Sequence, residues 1–395
     1  MHKPADRGFL FMRTWAEINI DALIANYREI RKIAGKNAKI LATVKADAYG
    51  HGFLEVAKAL ANEGADAFAV ALIEEALQLR RTGFNQPILI LGAIPEESYA
   101  LAVENNVSLT VFAKDTALAI SRAAVSLGKC AKIHIKLDTG MSRLGYVIGD
   151  SNDGVIDEIM EISELPGIEI EGVFSHFSTS DEEDGSYTHM QFERFIKVCE
   201  ELKNRGLTNI IRHIANSAAT MMYPETHLDM VRPGIILYGL YPSNDVDRSR
   251  LKLIPVMTLK TKITHIKTLE AGRGISYGKE YITDGPTKVA TVPIGYADGY
   301  VRATAKEGLM LVRGKKVRIL GRICMDQCMI DVSDVNNISV GDEVIVFSDK
   351  GILADDVAKW SDTINYEVIC LVSKRIPRVY LKNGEAVGEL NFLEN

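Results

Sequence analysis

Short apolar runs alternate with helical patterns along the first 245 residues of the chain. Apolar residues at helical spacing from Leu23 to Ile33 predict a first helix that Asp21 caps and Gly35 ends. Further helical segments include residues 53–62, 74–81, 115–127 and 187–203. The extended runs lie near residues 40–45, 67–71, 88–91, 108–111, 132–137, 170–175, 211–215 and 235–238. Strands that alternate with helices pair in parallel, and eight of them favour a closed (β/α)8 barrel, a TIM-like α/β barrel, over a doubly wound sheet.

The pattern changes after about Tyr241. Strand-like runs punctuated by Gly, Pro and Asp follow, with few helical segments between them, near residues 257–268, 288–293, 308–319, 329–332 and 342–347. We therefore predict two domains, a barrel over residues 1–245 and a mainly-β domain over residues 246–395. Residues 14–20 alternate like a strand and are expected to pair with the second domain.

Charge and composition narrow the classes of function. The formal charge is −6 and no long single-sign run occurs, which argues against a nucleic-acid partner. The longest apolar stretches are far too short for a membrane span. Five thinly spread cysteines argue against a disulfide framework and for a cytoplasmic location. Cys324 and Cys328 lack a second ligand pair nearby, so no metal site is expected.

Lys45 stands where a barrel carries its chemistry. It closes the apolar run 40–44, and the active sites of barrels lie at the C-terminal ends of their strands. A desolvated lysine forms Schiff bases with carbonyl groups, because burial favours the neutral amine. Position alone leaves an alternative, namely a lysine at the barrel rim whose charged end reaches water.

Nine motifs, in order along the chain, resemble those of alanine racemases. The first is VKADAYGHG at 44–52, which is similar to the pyridoxal 5'-phosphate (PLP) signature of that family. The others are KLDTGMSRLG (136–145), FSHF (174–177), HIANS (213–217), VRPGI (231–235), ISYG (275–278), PIGYADG (293–299), GRICMDQ (321–327) and NYE (365–367). The resemblance covers nearly the whole chain. It implies a PLP-dependent isomerase built as a barrel followed by a β domain.

Barrels commonly bind phosphate with the loops after their seventh and eighth strands. There Ser217 can donate its hydroxyl, and the backbone amides of Gly234 and Ile235 can donate N–H groups. Asn216 is a further candidate contact to the cofactor, although an Asn-Ser pair is also typical of a simple helix cap. The resemblance adds the phenol of Tyr366 from the second domain.

The resemblance implies that Arg232 faces the pyridine nitrogen of PLP. A guanidinium there disfavours protonation of the ring, so the cofactor withdraws electrons weakly and reprotonation at Cα outpaces elimination. His176 is expected to bond Arg232, with a satisfied core histidine as the alternative. Arg143 is expected to contact the cofactor phenol and the substrate carboxylate. Its neighbour Lys136 is a candidate for carbamylation, and a plain inward-facing barrel lysine is the alternative.

Racemisation removes a proton from one face of a planar intermediate and returns one to the other face. The resemblance assigns Lys45, freed from its aldimine by the substrate, to one face and Tyr277 to the other. Arg232, acting through His176, would favour the ionised form of that phenol. In the family this tyrosine comes from the other subunit, so a homodimer with shared active sites is expected. The alternative for Tyr277 is packing at an interface.

The remaining candidates concern the substrate. Tyr296 and Met325 are expected to narrow the substrate pocket, and Tyr49 is a further candidate cofactor contact. We predict that the chain interconverts L- and D-alanine for peptidoglycan synthesis, as the resemblance implies. The alternatives are a serine or broad-specificity racemase, a decarboxylase on a related barrel, and a non-catalytic PLP-binding protein. Small differences around Tyr49 and Met325 could decide between alanine and serine, because one side-chain group discriminates by only about 1–3 kcal/mol in an apolar pocket.

Overall fold

The computed structural model describes residues 12–149 and 151–394, which divide into two compact units. The barrel unit comprises residues 24–48 and 57–253, and the β unit comprises residues 12–23, 49–56 and 254–394. The predicted barrel range 1–245 included residues 14–20, which were expected to pair with the second domain, and residues 49–56. The structure places both segments in the β unit.

The described residues of the barrel unit contain eight strands that form the predicted closed ring. The strands are Lys39–Thr43, Ala67–Val70, Ile88–Ile90, Leu109–Val111, Ala131–Asp138, Ile168–Phe174, Ile211–His213 and Met230–Val231. The eighth, first, second and third strands form one parallel sheet, the fourth to seventh strands form another, and a bridge from Leu89 to Ser108 joins the two. Asp229 N donates to Arg212 O at 3.2 Å and so joins the seventh strand to the eighth. The predicted barrel is confirmed.

Helices surround the strands of the barrel. The α-helices between residues 20 and 222, apart from the left-handed turn that follows Lys45, are Ile20–Ala34, Phe53–Asn62, Ile73–Arg81, Tyr99–Glu104, Lys114–Ser126, Asp153–Ser163, Ser186–Asn204 and Ser217–Met222. The predicted cap of the first helix is wrong by two residues, because the helix begins at Ile20 directly after a strand and Asn19 Oδ1 accepts from Ala22 N at 3.0 Å. Gly35 ends this helix with φ +75°.

The predicted eighth strand at 235–238 is wrong. Residues Ile235–Tyr238 form a 3-10 helix that ends at Gly239 with φ 80°, and the eighth strand is Met230–Val231 instead. All four residues of the 3-10 helix are buried. A short run that is apolar at every position has no alternation, so periodicity does not distinguish a buried strand from a buried helical turn.

The β unit is mainly β structure, as predicted. Its largest sheet has seven strands, in the order Lys315–Arg318, Leu309–Val312, Glu343–Phe347, Met257–Lys262, Thr14–Asn19, Arg378–Lys382 and Glu385–Leu390. A three-stranded sheet contains His265–Leu269, Thr287–Val292 and Cys328–Asp331, and a small ribbon pairs Gly274–Ile275 with Tyr281–Ile282. Two α-helices follow at Ala354–Trp360 and Asn365–Leu371. Across residues 12–149 and 151–394 we find no helix with the length and apolar character of a membrane span.

Burial along the strands differs between the two units. All four residues of Ala67–Val70 in the barrel are buried, as expected for a parallel strand covered on both faces. Met257–Lys262 in the β unit alternates between buried and half-buried positions, as expected for a sheet with one solvated face. The barrel strands therefore form a rigid framework for side chains at their C-terminal ends.

Candidate active site

Lys45 follows the first barrel strand and precedes an unusual turn. Four consecutive residues, from Ala46 to Tyr49, have left-handed backbone angles with φ between 53° and 55°. Each such residue costs about 1–2 kcal/mol when it carries a side chain, so the turn needs support. Glu75 supplies it, since its carboxylate accepts from Ala46 N at 2.7 Å and from Ala71 N at 2.8 Å. The turn places the half-buried Lys45 directly beyond the strand end.

Arg232 follows the eighth strand and is only 4% exposed. Its Nη2 donates to Ser175 O at 2.7 Å and to Ile214 O at 3.0 Å. The same nitrogen lies 3.3 Å from His176 Nδ1, and Nη1 lies 3.0 Å from His213 Nδ1. Because a guanidinium can only donate, both Nδ1 atoms accept and both rings carry a hydrogen on Nε2 when neutral.

The basic residues of the barrel unit shift one another's pKa values. Burial and the nearby Arg143 lower the pKa of Arg232 to about 9. Burial, Arg232 and Arg143 lower the pKa of Lys136 to about 7. Burial and the charges of Arg232, Arg143, Lys136 and Lys45 hold the pKa of His176 well below its usual value. His176 is therefore neutral at pH 7, and these predicted residues share one strongly positive environment.

Phe174 lies against the cations of this environment. The Lys136 Nζ lies 5.1 Å from the ring centroid, and the Arg232 Cζ lies 5.5 Å from it. The His213 ring stacks on Phe174 at 4.8 Å with an angle of 2° between the planes. An aromatic face stabilises cations that are removed from water, which offsets part of the cost of burying these two charges.

The predicted phosphate contacts lie after the seventh strand and the eighth strand. Ser217 Oγ accepts from Gly234 N at 2.8 Å and keeps its hydroxyl hydrogen for another acceptor. Asn216 caps the helix that follows, and its Oδ1 also accepts from Ser180 Oγ at 2.9 Å. The helix-cap interpretation of Asn216 is thus correct for its side-chain oxygen. Ile235 is buried at the start of the 3-10 helix.

Tyr277, Tyr296 and Met325 belong to the β unit and expose large parts of their side chains. Their exposed fractions are 70%, 40% and 53%. Tyr296 N donates to the carbonyl of the residue before Met325 at 3.1 Å. Ser276, with φ 63°, precedes Tyr277 and donates its hydroxyl to Arg322 O at 2.6 Å. Hydrogen bonds thus connect the segments that carry the three side chains.

Tyr49 and Tyr366 also lie together in the β unit, with ring centroids 6.2 Å apart. Burial raises the pKa of Tyr49 above its ordinary value. Arg378 anchors the segments that bear both rings, since it donates to Gly50 O at 3.0 Å and to Val372 O at 2.5 Å. Gly50 has φ +81°, and a Cβ there would lie 2.3 Å from a backbone oxygen of the helix that carries Tyr366.

The predicted site residues therefore form two sets, one in each unit. The barrel unit holds Lys45, Lys136, Arg143, His176, Asn216, Ser217, Arg232, Gly234 and Ile235, and the β unit holds Tyr49, Tyr277, Tyr296, Met325 and Tyr366. Sequence reasoning assigned no role to Glu75, Phe174 or His213. His213 opens a motif and Phe174 opens another, so both carried a signal, whereas nothing local marks Glu75.

A closed α/β barrel with a lysine at a strand end and a cluster of cations defines an enzyme of the barrel class that binds an anionic ligand. Comparison with known proteins gives the family. Residues 18–242 match the alanine racemase N-terminal domain, and residues 256–380 match the alanine racemase C-terminal domain. The chain belongs to the alanine racemase family.

Individual relatives agree over almost the full length. The alanine racemase of Desulforamulus reducens is 49% identical over 367 residues, which cover 93% of this chain and 98% of the relative. That of Clostridium tetani is 48% identical and covers 96% and 98%. A solved alanine racemase from Clostridium difficile 630 has 45% identity and a TM-score of 0.93, and covers 97% of this chain and 99% of the other.

Members of this family are PLP-dependent amino-acid racemases, and the chain is an enzyme of this kind. The barrel unit fits a cofactor that carries a phosphate and a phenol. Cations surround His176, and Ser217 retains a hydroxyl hydrogen to donate. The guanidinium of Arg232 can donate hydrogen bonds but cannot accept them, so it suits an unprotonated ring nitrogen. Lys45 carries a primary amine directly beyond the first barrel strand.

Proposed function

We propose that the protein interconverts L- and D-alanine with Lys45 and Tyr277 as the two bases. One observation carries this proposal: Lys45 stands at a barrel strand end within the same positive environment as Arg143 and Arg232. When bound, PLP supplies an electron sink that makes the α-proton of an attached amino acid acidic. Lys45 Nζ, as a neutral amine, exchanges a proton with Cα on one face. The Tyr277 phenol exchanges a proton on the other face.

The remaining predicted site residues of the barrel unit bind and orient the substrate and the cofactor. Arg143 holds the substrate carboxylate, and the positive charge of Arg232 opposes protonation of a nitrogen that it faces. This favours return of the proton to Cα over side reactions. Ser217 and the amides of Gly234 and Ile235 donate to a phosphate.

Several predicted contacts and properties stay predictions. Asn216, Tyr49 and Tyr366 stay predicted cofactor contacts, and Tyr296 and Met325 stay predicted substrate contacts. Carbamylation of Lys136 stays a prediction as well. So do the domain boundary at residue 246, the cytoplasmic location and the supply of D-alanine for peptidoglycan.

Racemisation is tested with PLP-loaded protein and L-alanine in D2O, followed by chiral and mass analysis. We expect D-alanine with deuterium at Cα. Lys45→Ala and Tyr277→Phe should each remove turnover, while Tyr281→Phe, a nearby phenol outside the proposed site, should keep it. Alanine that stays L and unlabelled with PLP bound would contradict the proposed activity. Full turnover by Tyr277→Phe would contradict the assignment of the second base.

We propose further that Tyr277 acts at the site of a second copy of the chain. Its ring is 70% exposed, which leaves the phenol accessible to a partner. Mixing inactive Lys45→Ala and Tyr277→Phe proteins tests this, because a mixed dimer has one site with both bases intact. Random exchange should restore about a quarter of wild-type activity per subunit. Activity that stays absent in mixed dimers isolated with two different tags would show that both bases come from one chain.

A further inference from the structure

Four side chains of the barrel unit form a continuous chain of hydrogen bonds that begins at Arg232. Arg232 Nη1 lies 3.0 Å from His213 Nδ1, and His213 Nε2 lies 2.9 Å from His134 Nδ1. His134 Nε2 lies 3.1 Å from Glu171 Oε2. The first three residues are at most 4% exposed, and the Glu171 side chain is 15% exposed. We name this set the Arg232–Glu171 chain.

Only one arrangement of hydrogens satisfies every link. The guanidinium donates, so His213 Nδ1 accepts and its hydrogen is on Nε2. That hydrogen is donated to His134 Nδ1, so the hydrogen of His134 is also on Nε2 and is donated to the carboxylate of Glu171. A second hydrogen on His213 would place an N–H opposite the guanidinium. The Arg232–Glu171 chain is therefore directional, with a cation at one end and an anion at the other.

The two ends support this arrangement. Burial and the charge of Arg232 hold the pKa of His213 well below its ordinary value, so the ring is neutral. Burial raises the pKa of Glu171, but hydrogen bonds from His134, Lys132 and Ser108 outweigh it and hold that pKa well below the usual range. Glu171 is therefore a carboxylate at neutral pH.

The barrel strands leave the side chains of the Arg232–Glu171 chain little freedom to rearrange. His134, Glu171 and His213 stand on three neighbouring barrel strands that pair in parallel, and the register shifts between Ile133 and His134, so that Gly172 rather than Glu171 lies opposite His134. A Cβ at Gly172 would lie 2.4 Å from His134 Nδ1 and 2.8 Å from Ile211 O, so glycine provides the space for the imidazole ring. The two imidazole rings meet edge to face, with centroids 5.0 Å apart and planes at 78°.

We propose that Glu171 and His134 are positioning residues for the reaction: Glu171 is the remote counter-charge of Arg232, and the two histidines transmit it by holding one tautomer. Arg232 itself contacts carbonyl oxygens and imidazole nitrogens. Through hydrogen bonds it reaches a carboxylate at Glu171. This inference rests on the proposed role of Arg232, because the orientation of the guanidinium matters only if it faces a reacting group.

The tautomers are measured first, in cofactor-free wild-type protein, by long-range proton–nitrogen correlation of the imidazole rings, assigned with His134→Gln and His213→Gln. We expect both rings to be neutral with the hydrogen on Nε2. A hydrogen on Nδ1 of His213 would overturn the proposal. The tautomer measurement does not depend on turnover, so it can show that the proposed role of the Arg232–Glu171 chain is wrong independently of whether the proposed racemase activity is right.

Variants then test the counter-charge. Glu171→Gln, whose side-chain amide can donate as well as accept, should give mixed tautomers at His134 and lower kcat about tenfold, with KM for alanine changed less than twofold. Glu171→Asp keeps the carboxylate and should recover the single tautomer and most of the turnover. Lys132→Met is the matched control, because it removes another partner of Glu171, at 2.9 Å, without touching the histidines. Glu171→Gln with wild-type tautomers and kcat would overturn the proposal, as would an equal loss of kcat in Lys132→Met.

Discussion

The barrel unit and the β unit differ in what surrounds a buried arginine. Among the described residues, Arg232 in the barrel unit is 4% exposed and Arg378 in the β unit is 1% exposed. Arg232 contacts two imidazole nitrogens as well as two carbonyl oxygens. Arg378 donates to the carbonyl oxygens of Gly50, Val372, Ser373 and Ile376. Each guanidinium also lies near a phenylalanine ring, at 5.5 Å and 6.0 Å.

This difference separates a structural use of arginine from a chemical one. A carbonyl oxygen does not titrate, so the bonds of Arg378 to Gly50 and to residues 372–376 hold the backbone in one state at any working pH. A neutral imidazole can carry its hydrogen on either nitrogen, so the hydrogen bonds around Arg232 depend on the tautomers of His176 and His213. Loss of Arg378 should therefore affect folding, and loss of Arg232 should affect turnover.

The largest effect is expected for Arg378→Met, which leaves several buried carbonyl oxygens without a donor. We expect the free energy of unfolding to fall by about 3–5 kcal/mol, measured by urea titration of the cofactor-free protein. Arg375→Met is the control, since Arg375 is 36% exposed and pairs at 2.7 Å with an exposed Asp326. Its contact with the buried Asp298 is longer, at 3.8 Å, and Asp298 keeps an ion pair with Arg13 at 2.9 Å. The Arg375→Met variant should lose at most about 1 kcal/mol of unfolding free energy. Equal losses in both variants would remove the distinction.

Arg232→Lys should produce the complementary result. Lysine keeps the charge but lacks the planar fork that reaches two carbonyls and two imidazoles. We expect kcat for L-alanine to fall roughly 100-fold, the effect typical of a lost preorganised donor. The free energy of unfolding should fall by less than in Arg378→Met. A variant that loses stability but keeps its turnover would show that Arg232 is structural too.

Lys136 allows a test, by pH, of how the positive environment around Arg232 affects stability. Its pKa is about 7 in the folded protein against an ordinary 10.5. Between these values the unfolded chain binds more protons, so this residue contributes stability that rises with pH. From pH 7 to pH 9, in bicarbonate-free buffer, the unfolding free energy of wild type should rise by roughly 2 kcal/mol relative to Lys136→Met.

Lys260 in the β unit is the matched control for that measurement. Burial lowers its pKa, but ion pairs with Glu17 at 3.0 Å and Glu343 at 3.1 Å outweigh burial and raise it. A raised lysine pKa contributes stability that is fully present below the unfolded pKa. The difference between wild type and Lys260→Met should therefore be constant from pH 7 to pH 9. A rise as large as that at Lys136 would contradict the contrast between the two units.

The smallest effect is expected for Phe392→Leu. The ring lies 6.0 Å from the Arg378 Cζ and 5.0 Å from the Lys374 Nζ. Loss of these contacts at a half-buried position should lower the free energy of unfolding by about 0.5–1 kcal/mol, and kcat should not change. A change in kcat would mean that Arg378 also affects turnover.

The turn after Lys45 and the segment after Arg232 show where sequence reasoning stopped. The strand end at Lys45 followed from one apolar run, but the four left-handed residues behind it depend on Glu75, which lies almost thirty positions away. Residues 235–238 have an apolar pattern that suits a strand, but they form a 3-10 helix because the chain has already made its strand at 230–231.

By itself, the sequence determined the alternation of strands and helices, the change to β structure near residue 241, and the motifs that identify the family. These signals are local, because a strand or helix repeats its burial pattern every few residues. Only the tertiary structure decided which side chains meet. Arg232, His213, His134 and Glu171 come from four different strands or strand ends, and no local pattern records a hydrogen bond between positions dozens of residues apart.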